Sequence, residues 1–243
     1  VCCGHTANHK WIETEADGKT HRILCDDLIV AVGRAPRLQG YGLEALGIPT
    51  AKVVQTNDYL ETIYPNIFAA GDVAGPYQFT HAAAHQAWFA TVNALFGFVR
   101  RFRIDYRVMP ATTFTDPEIA RVGLTEAEAR ASGIACEVTR YNIGDLDRAI
   151  TDGAAHGFVK VLTTPGKDRI LGATIVGEHA GDLLAEFVLA MKQGIGLNRI
   201  LGTIHSYPTF AEANKFAAGE WRKAHVSPLA LRFLTRLHAW RRG

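Results

Sequence analysis

The order of apolar and polar positions divides the chain into recognisable elements. Over residues 11–30 two runs flank Asp17-Gly18, a dipeptide suited to a two-residue hairpin turn, so a β-hairpin is expected there. It is expected to end in a buried strand, Leu28-Ile29-Val30-Ala31-Val32, a short continuous apolar run that breaks at Gly33-Arg34-Ala35-Pro36. Such a run suits a strand covered on both faces in a parallel sheet. The carboxyl end of such a strand is where open α/β sheets place ligands. Residues 37–57 are loop-rich, with Gly40, Gly42, Gly47 and Pro49. A second short apolar run, Ile67-Phe68-Ala69-Ala70, stops at Gly71-Asp72-Val73. A helix pattern then extends from about His81 to Phe96, with Thr80 suited to be its N-cap and Gly97 its C′ residue.

The pattern changes after Arg100-Arg101-Phe102-Arg103, and from Met109 it reads as α+β. Thr125-Glu126-Ala127-Glu128 has the form of a capping box, and Gly133 stops the short helix that follows. Phe158 to Thr163 and Ile170 to Val176 are expected to be strands joined by a turn at Pro165-Gly166-Lys167-Asp168. Ala180, Leu183, Leu184, Phe187, Val188 and Met191 form one apolar stripe at helical spacing, ended by Gly194. Thr209-Phe210-Ala211-Glu212 reads as a second capping box, opening a helix towards Lys223. In the tail, residues 227–243, Leu231, Phe233, Leu234, Leu237 and Trp240 mark an apolar face, while Arg232, Arg236, Arg241 and Arg242 bring positive charge with no acid to balance it. An interfacial helix on anionic lipid has this composition. A helix packed on the protein with solvated arginines has it too.

Composition narrows the class. With 243 residues, 48% hydrophobic and 21% charged, the chain forms one large domain or two small ones and buries a core without staples. Collagen, disorder and a disulfide scaffold are excluded. No run of about 18 apolar residues is present to span a bilayer. The 26 basic residues nearly balance the 24 acidic ones, for a net charge of +2, which argues against a dedicated nucleic-acid binder. Four cysteines (Cys2, Cys3, Cys25 and Cys136) show no CxxC spacing, so no structural zinc is expected. The adjacent Cys2 and Cys3 read as two small residues on a strand, although neighbouring cysteines also bind soft metals or close a ring. The chain opens on Val1 without a visible signal peptide, and a natural N-terminus further upstream is expected. A cytoplasmic location, with peripheral membrane contact through the tail, is expected.

Four segments resemble, in order, motifs of the flavin-dependent pyridine nucleotide–disulfide oxidoreductases. They are Asp27 to Pro36, Ile67 to Val73, Phe114 to Glu126, and Tyr207-Pro208-Thr209-Phe210-Ala211-Glu212. The resemblance covers roughly residues 20–225. It implies the end of a Rossmann-like NAD(P)-binding domain over 1–36, an FAD-contacting segment over 37–107, an α+β dimerisation domain with an antiparallel sheet over 108–225, and a basic tail over 226–243. It also implies FAD and NAD(P)H as cofactors and a homodimer through 108–225. Electrons would pass from nicotinamide through flavin and a cysteine pair to a small-molecule or metal-ion acceptor.

The resemblance assigns roles to particular residues. Gly71 and Asp72 would meet the ribityl chain of FAD, where a carboxylate accepts hydrogen bonds from hydroxyls. The Asp also suits the start of a turn. Thr80, His81 and Ala82 would bring a helix N-terminus, with its partial positive charge, to the flavin pyrimidine edge. Gly33 and Arg34 would lie near the nicotinamide cofactor, and an Arg suits phosphate; a structural Arg in a turn is the plainer reading. His81 and His85 stand at i and i+4, but no third ligand is evident and no metal is assigned to them.

Tyr207 is the departure that matters. In the thiol-handling members a His stands before the Pro-Thr and serves as acid–base, oriented by the Glu at the Glu212 position. A His titrates near operating pH; a Tyr, with a reference pKa of about 10, does not. His205, two residues earlier, would share a face with Tyr207 on a strand and is the candidate substitute. A Tyr here is similar to what mercuric reductases and soluble transhydrogenases carry, so Tyr207 and Glu212 are the candidate catalytic pair. Glu212 also suits the Thr209 capping box. The chain contains neither a G-x-G-x-x-G loop opening a βαβ unit nor the redox cysteine pair, so it is not expected to complete a flavin site alone. The resemblance thus implies the C-terminal part of a mercuric reductase-like oxidoreductase, with a soluble transhydrogenase-like flavoenzyme as the runner-up and a non-catalytic dimerisation module with a membrane-surface tail as the rival reading.

Overall fold

The computed structural model describes residues 2–5 and 9–243, and the chain divides into two compact units, Val1–Ile104 and Asp105–Gly243. In the first, β1 (Cys2–His5), β2 (Lys10–Ala16) and β3 (Lys19–Cys25) form an antiparallel sheet in that order. The backbones of Cys2 and Cys3 both lie on β1; Val1 and the Cys2 side chain are outside the described residues. The pairing of Ala16 with Lys19 leaves Asp17 and Gly18 as the turn, with φ of 53° and 71°. Positive φ at both positions matches the right-handed twist of the hairpin, and it explains the Asp-Gly.

The expected buried strand over 28–32 does not form. The segment has no regular secondary structure and no strand partner, with Ile29 91% and Val32 94% exposed. A strand needs neighbours for its N–H and C=O groups, and among the described residues no other strand lies beside it. The run at Ile67-Phe68 is likewise not a strand. Phe68 makes a single antiparallel bridge to Glu61, and Gly71–Val73 turns as a 3-10 helix. Glycines with φ of 80° (Gly71) and 57° (Gly75) bend the backbone on either side of Asp72, so the carboxylate sits on a turn rather than at a strand end.

Helix α1 (Thr80–Phe96) begins at Thr80, its expected cap, one residue before the expected start. Phe79 is the N-cap, extended and without a side-chain cap, and Thr80 is already helical. Gly97 caps the other end at φ −60°, so it is not a left-handed C′ residue. Its role is steric: a Cβ there would come 2.3 Å from the Asn93 carbonyl oxygen. The buried residues of α1 are Ala82, Gln86, Ala90 and Asn93. The helix is therefore seated by small residues and two amides rather than by an apolar stripe. Asn93 donates to the carbonyls of Tyr59 (3.1 Å) and Phe102 (2.8 Å) and accepts from the Phe102 N–H (2.7 Å).

The second unit is built on five antiparallel strands: β4 (Pro110–Thr113), β5 (Glu118–Gly123), β6 (Glu137–Asn142), β7 (Phe158–Thr163) and β8 (Ile170–Gly177), in the order β4-β5-β8-β7-β6. Its helices are α2 (Glu126–Ala131), α3 (Asp147–Thr151), α4 (Ala180–Lys192), α5 (Leu197–Leu201), α6 (Glu212–Ala224) and α7 (Pro228–Arg241). The capping box on α2 forms in full: Thr125 accepts from the Glu128 N–H while Glu128 accepts from the Thr125 N–H. The α4 stripe is buried as expected. Ala180, Leu184 and Phe187 join Val159, Val161 and Ile175 in one core. The box at α6 forms only by half. Glu212 accepts from the Thr209 N–H at 3.3 Å, but the Thr209 hydroxyl donates to the Ser206 carbonyl at 2.7 Å, so the helix starts at Glu212. Helix α7 is not packed on the chain: Leu229, Leu231, Phe233, Leu234 and Trp240 are all exposed.

Candidate functional site

Two groups of expected site residues fall in different units, and each is built by its own local structure. In the first unit an open cleft of about 1110 Å³ is lined by Gly33, Arg34, Pro36, Val53, Gly75 and Tyr77, among others. Arg34 donates from Nη1 to the Gln78 carbonyl at 2.5 Å, which ties the loop after residue 32 to the segment entering α1. Gly33 and Arg34 are thereby brought beside the approach to Thr80, His81 and Ala82. Arg34 is exposed and spends one donor on the turn, with others of its five free for an anion.

Asp72 is half-buried, and no hydrogen bond to its carboxylate exists among the described residues. Its position is set by Gln86, which the sequence pattern did not single out. Gln86 is fully buried; its Oε1 accepts from the Gly71 N–H at 2.6 Å and its Nε2 donates to the Gly75 carbonyl at 2.8 Å. One amide thus locks both ends of the turn that carries Asp72 onto α1. The signal was present in hindsight: Gln86 and Asn93 share a helical face with Ala82 and Ala90.

At the start of α1, Ala82 is buried, whereas Thr80 and His81 are exposed. The first turn contains no acidic residue, so the partial positive charge of the 17-residue helix is not offset by its own side chains. His81 stacks on Phe79 with ring centroids 5.1 Å apart, and His85 packs against Phe89. Among the described residues no cluster of three His, Cys, Asp or Glu side chains is arranged to hold a metal.

In the second unit Tyr207 is 70% exposed and its phenol donates to Asp147 Oδ2 at 3.0 Å. That carboxylate holds the phenol's pKa above its ordinary value of 10, with a smaller push from Glu212. Glu212 itself is buried, with its carboxylate turned to the Thr209 N–H. Tyr207 and Glu212 therefore share a loop but no hydrogen bond. His205 is not the substitute base on the same face. No strand forms here, and its side chain is buried while that of Tyr207 is not. His205 Nε2 lies 2.9 Å from Glu186 Oε1, and Nδ1 lies 3.0 Å from the Thr203 carbonyl. Glu186 Oε2 in turn accepts from Asn214 at 2.9 Å, and Asn214 also donates to the Leu183 carbonyl. This Glu186–His205–Asn214 cluster joins α4, the 202–211 loop and α6, and so fixes the loop that presents Tyr207. Sequence reasoning missed Glu186 and Asn214.

The model of the pyridine nucleotide-disulphide oxidoreductase dimerisation domain matches residues 109–218, and that of the pyridine nucleotide-disulphide oxidoreductases matches residues 5–87. A dihydrolipoyl dehydrogenase of Thermus scotoductus is 37% identical over 90% of this chain and 47% of its own length. A mercuric reductase of Staphylococcus aureus is 36% identical over 85% of this chain and 38% of its own. The crystal structure of LpdA from Mycobacterium tuberculosis superposes with a TM-score of 0.79 at 27% identity, covering 89% of this chain and 46% of that one. The chain thus spans about half the length of the relatives it matches. The family uses FAD and NAD(P)H, and this chain belongs to the pyridine nucleotide-disulphide oxidoreductases.

Proposed function

We propose that this chain supplies the flavin-facing helix, part of the nicotinamide cleft and the dimerisation domain of an FAD-dependent NAD(P)H oxidoreductase of the mercuric reductase kind. The observation that carries the choice is Tyr207. Its phenol donates a hydrogen bond to Asp147, which holds the proton on it, so it does not serve as a base towards a dithiol at neutral pH. It stays protonated and can hold or guide a soft acceptor such as a metal ion. Identity alone does not separate the classes, at 36% to a mercuric reductase and 37% to a dihydrolipoyl dehydrogenase, so the choice rests on Tyr207. The residues present fit FAD. Asp72 is half-buried with no hydrogen bond to its carboxylate among the described residues, and the exposed Thr80 and His81 leave the α1 N-terminus accessible to a flat ring edge. When bound, FAD supplies the two-electron chemistry between nicotinamide and acceptor. Around it, Asp72 orients the sugar-like chain, the α1 N-terminus favours electron density at the ring edge, and Arg34 holds anionic groups in the cleft.

A second copy completes the arrangement in this proposal. Ile204, in the loop that carries Tyr207, is 94% exposed, and Phe114, which follows β4, is 82% exposed, so this unit presents apolar side chains to solvent. A homodimer through residues 108–225 covers such surface and brings Tyr207 to the partner's flavin.

The test is Tyr207→Phe in the complete enzyme. The expected result is a fall in kcat with KM for NAD(P)H unchanged, because the phenol acts at the acceptor side. Unaltered turnover would reject the role of the phenol. Turnover of a dithiol faster than of a thiol-bound metal ion would reject the acceptor class.

A further inference from the structure

The C-terminal helix presents a surface that neither the core nor the site uses. Helix α7 runs over 14 residues, Pro228–Arg241, outside the residues matched to the dimerisation domain, which end at 218. Leu229, Phe233, Leu237 and Trp240 stand at i, i+4, i+8 and i+11 and so share one face. Leu229 is 74%, Phe233 66% and Trp240 80% exposed, with Leu237 half-buried, so most of this face is open to solvent. Arg232 and Arg236 lie to one side of it and Arg241 to the other, and no Asp or Glu occurs from residue 221 to 243.

We infer that α7 docks on the surface of an anionic lipid bilayer. The charge pattern selects this occupant. A second copy of α7 would set four arginines against four with no acid to pair them, which opposes self-association. A purely ionic partner, such as a nucleic acid, would use the arginines but leave Phe233, Leu237 and Trp240 in water. A headgroup layer takes both parts: apolar side chains enter the acyl boundary, Trp240 sits at the interface, and the arginine stems reach back to phosphates. The helix lies on the surface rather than crossing it. At 1.5 Å per residue it is roughly 21 Å long, short of the ~30 Å hydrocarbon thickness. Among the described residues no helix is long and apolar enough to span.

The experiment is co-sedimentation of the full chain with vesicles of phosphatidylcholine alone or with one-third phosphatidylglycerol, paired with quenching of Trp240 by brominated acyl chains. Trp11, Trp88 and Trp221 are replaced by Phe in a parallel variant so that Trp240 reports alone. Three results are expected. The chain pellets only with the anionic vesicles, and Trp240 is quenched. High salt, or Arg232→Gln with Arg236→Gln and Arg241→Gln, weakens binding about tenfold or more, since each arginine near the surface contributes at a level of about a factor of five. Phe233→Ser with Trp240→Ser, at exposed positions that leave the folded units intact by circular dichroism, removes most of the pelleting with anionic vesicles. Equal pelleting with both vesicle types overturns the inference, as does binding indifferent to these substitutions. Competition by soluble polyglutamate without Trp240 quenching would assign α7 to an acidic protein instead. Loss of an oligomer in Phe233→Ser with Trp240→Ser, without any vesicle effect, would assign it to a second copy.

Discussion

Replacing Glu186 by Ala tests whether the buried polar cluster holds the Tyr207 loop. The carboxylate accepts from Asn214 Nδ2 and faces His205 Nε2, both at 2.9 Å. Asn214 is 1% exposed and the His205 side chain 7%, so water cannot easily replace the lost partner at either. A hydrogen bond to a charged group contributes about 1.5–3 kcal/mol, and leaving its buried partner unsatisfied costs a comparable amount. The Glu186 side chain keeps 30% of its surface in water, which places the expected total at the lower end, about 2–4 kcal/mol. For a unit of this size that corresponds to a fall in Tm of roughly 6–15 °C. Urea unfolding followed by fluorescence of the buried Trp221 on α6 reports on the right unit. Glu186→Gln is the control: its amide can still accept from Asn214, and its NH2 can face the ring nitrogen of a neutral His205. That variant should lose about 1 kcal/mol. If Glu186→Ala were no less stable than Glu186→Gln, the cluster would not be what holds the loop.

Three further outcomes are expected. Asp147→Asn removes the charge that holds the Tyr207 phenol above its ordinary range, so its titration, read by ultraviolet difference absorbance, should move to lower pH; an unmoved titration would mean the pair does not persist in solution. Glu128 is held down to about 2 from 4.5 by the Thr125 N–H, Arg121 and the Thr125 hydroxyl. Its contribution to stability is therefore present above about pH 4.5 and lost as pH falls towards 2. Glu128→Gln should flatten the Tm profile across that window, and a profile of unchanged slope would contradict the capping geometry. Gln86→Leu leaves the Gly71 N–H and Gly75 carbonyl without partners inside the fold, which should cost about 2–4 kcal/mol. In the complete enzyme it should also weaken FAD retention on dialysis; full retention would separate Gln86 from the site.

What could be read from the sequence was mostly local. The Asp17-Gly18 turn, the Thr125–Glu128 box and the α4 stripe depend on residues within a few positions of one another, and each appears where the spacing puts it. The segment over 28–32 shows the limit. Its apolarity records a need for covering strands, but no pattern along a chain says where those strands come from, and here it lies unpaired and exposed. Thr209 fails as a cap because its hydroxyl finds the Ser206 carbonyl, a competition that composition does not reveal. The polar clamps were hidden for a related reason. Gln86, Asn93, Glu186 and Asn214 look like solvent-facing residues until a backbone turn or a second helix closes over them. At the site, Tyr207 and Glu212 were both found by their motif. Their separation, with the phenol turned to Asp147 and the carboxylate to the backbone, required the fold.

The proposed activity is tested most directly by anaerobic titration of the native gene product, purified from its source cells, with NADH and with NADPH while flavin absorbance near 450 nm is followed. The account predicts a yellow dimer that retains FAD and is bleached by one of the two nicotinamides. A colourless protein, or a bound flavin that neither nicotinamide reduces, would contradict it.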